Sequence, residues 1–187
     1  MRRKPQTGDC GHCRHVMWGG ILINLWRAPG WIWLLVLSAV LVPQASAQVT
    51  STPEERAHWV GITHQLENSP LEDSVNKQGE AAFKRLSDVH DVHVPLCPAL
   101  LSEFNGMKYA YAHTITRQYM LASGAFIIEN PDKAADTNAA YLSAVESVLK
   151  TYRAILKQKP DAKAKPLDDL LKKESQGKVN DALKQCP

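Results

Sequence analysis

Two long segments carry apolar residues at helical spacing, separated by only a short polar break. Ala112, Ile115, Tyr119, Ala122 and Phe126 repeat at intervals of 3-4-3-4, and Tyr141, Val145, Val148, Tyr152 and Ile155 at 4-3-4-3. Such spacing returns each side chain to one face of a helix. Tyr111, Met120 and Ile127 widen the first stripe, so that helix expects neighbours on more than one side. Leu142, Leu149 and Leu156 flank the second. The spacing predicts helices from about Met107 to Glu129 and from Ala134 or Asn138 to Gln158, with Asn130-Pro131 between them. So short a connection makes the pair antiparallel. The fold class expected is all-α, a compact four- to five-helix bundle built around this central antiparallel hairpin.

Shorter segments supply the rest. Ser51 or Thr52 caps a first helix, with Pro53, Glu54 and Glu55 in its opening turn and Trp59, Ile62 and Leu66 on its inner face. Asn68-Ser69-Pro70 ends it. A second helix is expected from about Leu71 to Leu86, turning Val75, Ala82, Phe83 and Leu86 inward. Ser87 to Pro98 reads as extended, because Val, His and two prolines disfavour a helix there. A short turn of helix over Ala99 to Phe104 closes at Asn105-Gly106. The last helical segment starts at Pro166, carries Leu167, Leu170 and Leu171, is interrupted at Gly177 and resumes with Val179 and Leu183.

Upstream of these elements lies WIWLLVLSAVLVPQASA, Trp31 to Ala47. An apolar run follows Arg2, Arg3, Lys4, Arg14 and Arg27 and ends before Ala45-Ser46-Ala47, small residues at −3 and −1 of a cleavage site. The run spans 12 residues before Pro43, short of the roughly 20 that cross a bilayer. Residues 1–47 are therefore expected to be a signal peptide with a long n-region, unless Met17 is the true start. Residues 48–187 are expected to be a single helical domain beginning at Gln48 and lacking a transmembrane segment. The whole chain carries +3, but residues 48–187 hold 17 basic against 18 acidic side chains. Without the leader there is no basic excess to argue for nucleic acid. Eight lysines between Lys157 and Lys184 are interleaved with five acids, which reads as a solvated face.

The four cysteines divide in two. Cys10 and Cys13 form CGHC, a disulfide-exchange pattern only at the start of a helix in a thioredoxin-like fold. Here it precedes the apolar run, so no redox role is assigned. Cys97 and Cys186 alone remain after the cut, and export leads to an oxidising compartment where thiols pair. They are expected to form a disulfide.

One segment hints at chemistry. Asp88, His90, Asp91 and His93 form a doubled Asp-Val-His triplet, and imidazole with carboxylate suits zinc, nickel, copper or iron. In an extended chain His90 and His93 would face opposite ways, and a third ligand would have to come from His58, His64 or His113. The expected state is a solvated linker, and no cofactor is implied. His113 and Arg117, with Tyr109 and Gln118, are expected to form a satisfied polar patch at a helix crossing. Ser123-Gly124 suggests close packing. Nucleophile-elbow, zincin, Walker and dinucleotide patterns are missing, so no catalytic residue is assigned.

The block Lys108 to Pro160, KYAYAHTITRQYMLASGAFIIENPDKAADTNAAYLSAVESVLKTYRAILKQKP, followed by LDDLLKKESQGK, resembles small secreted all-helical bacterial proteins of uncharacterised role. The resemblance implies a periplasmic or secreted helical protein and brings no activity with it. The ending Lys159-Pro160, Leu170, Ala182-Leu183 and Cys186 is similar, more faintly, to helical immunity proteins of the Rap1a/Tai type. That likeness implies a protein partner. The expected role is thus non-enzymatic binding or envelope association. The alternatives are an immunity or inhibitor protein, or a metal-dependent protein using Asp88 to His93.

Overall fold

The structure, a computed structural model, describes residues 49–187. The expected cleavage residues Ala45, Ala47 and Gln48, and the CGHC pair, lie outside them. Seven α-helices and no strand occur among the described residues: α1 Pro53–Asn68, α2 Asp73–Asp88, α3 Pro98–Gly106, α4 Ala112–Glu129, α5 Thr137–Gln158, α6 Lys165–Ser175 and α7 Asn180–Leu183. Four of them, α1, α2, α4 and α5, form the body of the bundle, and α3, α6 and α7 close over its α4–α5 side. No helix among the described residues is long and apolar enough to cross a membrane.

Local chemistry sets the helix ends. The Thr52 hydroxyl accepts from the Glu55 amide at 3.2 Å, and the Glu55 carboxylate accepts from the Thr52 amide at 2.9 Å. This reciprocal pair satisfies two otherwise unpaired donors. Asp136 caps α5 by accepting from the Ala139 amide at 3.0 Å. Gly177 takes φ +67°, a left-handed conformation suited to glycine, and separates α6 from α7.

Boundaries shift where side chains find partners that spacing alone does not show. The central helix starts at Ala112 rather than Met107, because residues 107–111 form turns: the Tyr109 amide bonds to the Met107 carbonyl, and the Ala112 amide to Tyr109. The Tyr109 ring is thereby set edge-on to both Tyr111 and Tyr152. The second helix begins at Asp73 and runs on to Asp88.

Two clusters of buried side chains make the core. The larger is built from α4 and α5, with Ile115, Tyr119, Tyr141, Val145, Val148, Leu149, Tyr152 and Ile155. Leu100 and Phe104 of α3, Leu167 and Leu170 of α6, and Ala182 and Leu183 of α7 complete it. The smaller lies between α1, α2 and the loop after α2, around Trp59, Ile62, Leu66, Val75, Leu86, Val89 and Val92. Leu121 of α4 reaches into it, so α4 is covered on several sides, as its wide stripe requires. The Tyr152 hydroxyl does more than fill the core. It accepts from the buried Ala164 amide at 2.9 Å and donates to Asp168 at 2.8 Å, fixing the start of α6. Desolvation, countered in part by that amide and reinforced by Asp168, pushes the phenol up to about 12.

Cys97 and Cys186 are bonded, with Cα atoms 5.1 Å apart. That lies inside the range a disulfide spans. The bond joins positions separated by 89 residues, and on the loop-entropy account such a closure contributes up to about 4–5 kcal/mol. Replacing both cysteines with serine should lower the melting temperature by about 10 °C or more while the helical circular-dichroism shape persists. An unchanged melting temperature would contradict this account.

Candidate functional site

The doubled triplet Asp88 to His93 is neither extended nor a donor set. The chain bends at 90–92, and the repeat of three puts Val89 and Val92 in the core while Asp88, His90, Asp91 and His93 stay on the surface. His90 and His93 are both exposed, and neither is buried against the domain. Three-residue spacing through a bend, with a buried valine in each triplet, leaves both imidazoles outside. Among the described residues no group of three or more His, Cys, Asp or Glu side chains could hold a metal.

Of the four polar residues, Asp91 has a structural task. Its carboxylate accepts from the Ser51 amide at 2.9 and 3.0 Å, from the Ser51 hydroxyl at 2.9 Å and from Arg56 Nη2 at 2.7 Å. The His90 amide adds a bond to the Val49 carbonyl at 3.1 Å. Beside this clasp Arg85 donates to Glu55 at 2.8 Å and to the Thr50 carbonyl at 3.2 Å. The loop after α2 is thus tied to the chain entering α1. Desolvation works to raise the Asp91 carboxyl, but the hydrogen bonds from Arg56 and Ser51 outweigh it and hold the group down at about 2.

The other imidazoles are elsewhere. His64 stands between Glu67 at 3.4 Å and Glu129 at 3.3 Å, and His113 lies 3.5 Å from Glu80. His58 is exposed on α1. None of them converges with His90 and His93.

The expected polar patch at the helix crossing divides into three places. Gln118, fully buried, donates to the Thr63 carbonyl at 3.0 Å and to the Ser147 hydroxyl at 2.7 Å. Arg117, only 3% exposed, donates to the Asn76 side chain at 2.6 Å and lies 3.5 Å from Glu80. Tyr109 belongs instead to the aromatic group on α5. The patch is only partly satisfied, since Arg117 Nε and Gln118 Oε1 are buried without a hydrogen-bond partner among the described residues. Ser123 and Gly124 are packing residues, as expected. The Ser123 hydroxyl donates to the Pro95 carbonyl at 2.7 Å, and a Cβ on Gly124 would stand 2.9 Å from Leu86.

What the loop creates is an apolar groove that the chemistry-bearing residues did not reveal. Phe83, Leu86, Val89, Val92, Val94 and Met120 line a cavity of about 210 Å³, with Ser87 at its edge. Its floor is fixed on two sides: the Asp91 clasp holds the bend, and Ser123 holds Pro95 against α4. The residues that signal it are the two valines of the triplets, Val89 and Val92, which the loop buries.

Matched against family models, curated proteins and solved structures, the chain finds no counterpart in any of the three.

Two variants separate the clasp from the histidines. Asp91 is more acidic folded than its ordinary 3.8, so its stabilisation is complete above about pH 4 and is lost as pH falls towards 2. Asp91→Asn should therefore flatten the acid limb of the stability profile and lower stability near neutrality. His90→Ala with His93→Ala should stay within about 0.5 kcal/mol of the parent, with or without added zinc. A saturable zinc-dependent rise in melting temperature, lost in the double alanine variant, would reinstate a metal site.

Proposed function

We propose that the chain is exported, cut after Ala47, and works in an oxidising envelope or extracellular compartment as a non-enzymatic protein-binding domain. Its recognition surface is the groove at the 87–94 loop. The leader pattern at Trp31–Ala47 and the Cys97–Cys186 bond support the location.

The size and lining of the groove carry the binding reading. Small-molecule sites generally take roughly 300–1,000 Å³, whereas a cavity of about 150 Å³ accommodates a benzene ring. At about 210 Å³ the groove suits one aromatic or branched side chain. A single apolar anchor entering a pocket with a polar rim is how many protein interfaces concentrate their affinity. Here Ser87 stands exposed at the edge, and Asp88, His90 and His93, also exposed, alternate in sequence with the valines of the lining. The occupant is accordingly an apolar side chain on a partner protein, its neighbours polar. An immunity or inhibitor role is the more specific form of the same reading, in which that partner is a single toxin or enzyme bound tightly.

The experiment uses residues 48–187 immobilised and exposed to the envelope fraction of its own cell. Ser87→Trp places a ring over the groove from an exposed position, and Ser102→Trp, on exposed α3 surface, serves as control. A specific partner should be retained by the parent and by Ser102→Trp and lost with Ser87→Trp. Binding indifferent to Ser87→Trp would reject the groove. Intact-mass measurement of secreted material should show a chain starting at Gln48, and a mature protein retaining Trp31–Val42 would remove the case for export.

A further inference from the structure

The two cysteines of the disulfide have unequal surroundings. Cys97 is completely buried, part of the cluster that includes Leu100, Phe104 and Tyr119. Cys186 keeps part of its surface and stands on the wall of a cleft of about 520 Å³, with Asn138, Asn180, Leu183 and Lys184. A thiolate must approach a disulfide sulfur directly, so which sulfur is reached decides which bond is made. A hydrated, charged nucleophile can enter a cleft walled by two asparagines and a lysine, and it meets Cys186.

The sulfur expelled is then Cys97, at the N-cap of α3. Burial opposes a thiolate there, while the free amides at the start of the helix favour one. Access therefore sets the choice, and the helix start lowers the cost of the leaving group.

We propose that Cys186 is the position at which an external thiol opens this bond, with a protein dithiol reductase as the co-reactant. The reductase thiolate supplies the electron pair for a new S–S bond to Cys186 Sγ. The electron pair of the old bond leaves with Cys97, which takes a proton from solvent. The second reductase thiol attacks the mixed disulfide, releases Cys186 as a thiol and leaves the reductase oxidised by two electrons. What the bond was holding is then set free. Among the described residues the Asp181 amide bonds to the Lys178 carbonyl at 3.0 Å, no hydrogen bond joins 179–187 to any residue before Lys178, and burial of Val179, Ala182 and Leu183 does the rest of the holding.

Reduced glutathione serves as the probe: with no second thiol of its own, it can resolve the mixed disulfide only through a slower attack by another glutathione, so the adduct is read at early times. The native oxidised domain is treated with excess glutathione at about pH 8, near the ordinary thiol pKa, then acid-quenched and mapped by peptide mass. Adduct on Cys186 should exceed adduct on Cys97 by about tenfold or more, while protein unfolded in urea should share it nearly evenly. Hydrogen exchange after full reduction should quicken over residues 178–187 and stay slow in α4 and α5. Adduct on Cys97, an even split in the native protein, or no adduct where the unfolded protein is labelled would each overturn the assignment.

Discussion

A stretch of helix buried on nearly every side has to satisfy its polar side chains inside the protein, and the middle of α4 is such a stretch. From Arg117 to Ala125 all but Met120 is buried. Its polar atoms consequently become the points to which the other elements are fastened. Gln118 ties α1 to α5, Arg117 reaches α2 through Asn76, and Ser123 holds the loop at Pro95. The Tyr119 hydroxyl accepts from the Cys97 amide at 3.2 Å, just before α3. Apolar burial makes the association favourable, but it has no direction. These few directed bonds select one arrangement among many that would bury similar area.

The parts of this arrangement that were legible in the sequence are those with a repeat. The stripes through Ala112–Phe126 and Tyr141–Ile155 specified the hairpin, and Thr52, Pro53 and Glu55 announced the start of α1. Apart from the Cys97–Cys186 pair, a side chain whose partner lies far along the chain could not be read. Tyr152 belongs to a stripe by spacing, yet its hydroxyl spends both of its bonds on α6, at Ala164 and Asp168. The start of α4 was misplaced because Tyr109 prefers edge contacts with Tyr111 and Tyr152 to a place in the helix. The residues from Asp88 to His93 drew notice for their imidazoles and carboxylates. Their valines carry the burial, and a period of three outside a helix has no standard meaning from which a groove could be foreseen.

The clasp and the disulfide divide the work of holding irregular chain. Asp91 gathers Ser51 and Arg56 by charge-assisted bonds at the surface, which weaken in acid. The Cys97–Cys186 bond holds α7 at the opposite extreme of chain position, by a covalent link indifferent to pH but open to thiols. Each suits its neighbourhood: the segment before α1 is polar, whereas the face that α7 and its flank turn to the core is apolar, with Val179, Ala182 and Leu183.

Arg117 lies against Gly79, where a Cβ would stand 3.4 Å from its guanidinium carbon and 2.8 Å from Leu66. Burial lowers the pKa of the guanidinium, with Glu80 opposing that drift. A desolvated cation contributes little to stability and can oppose it. It does forbid alternatives. Slide α4 along α2 by one turn, about 5.4 Å, and the guanidinium would lose both its bond to Asn76 and its seat against Gly79. The apolar stripes tolerate such a slip, since they look alike one turn further on. The arginine does not, and so it works as a detent: a single point at which two smooth surfaces are allowed to stop.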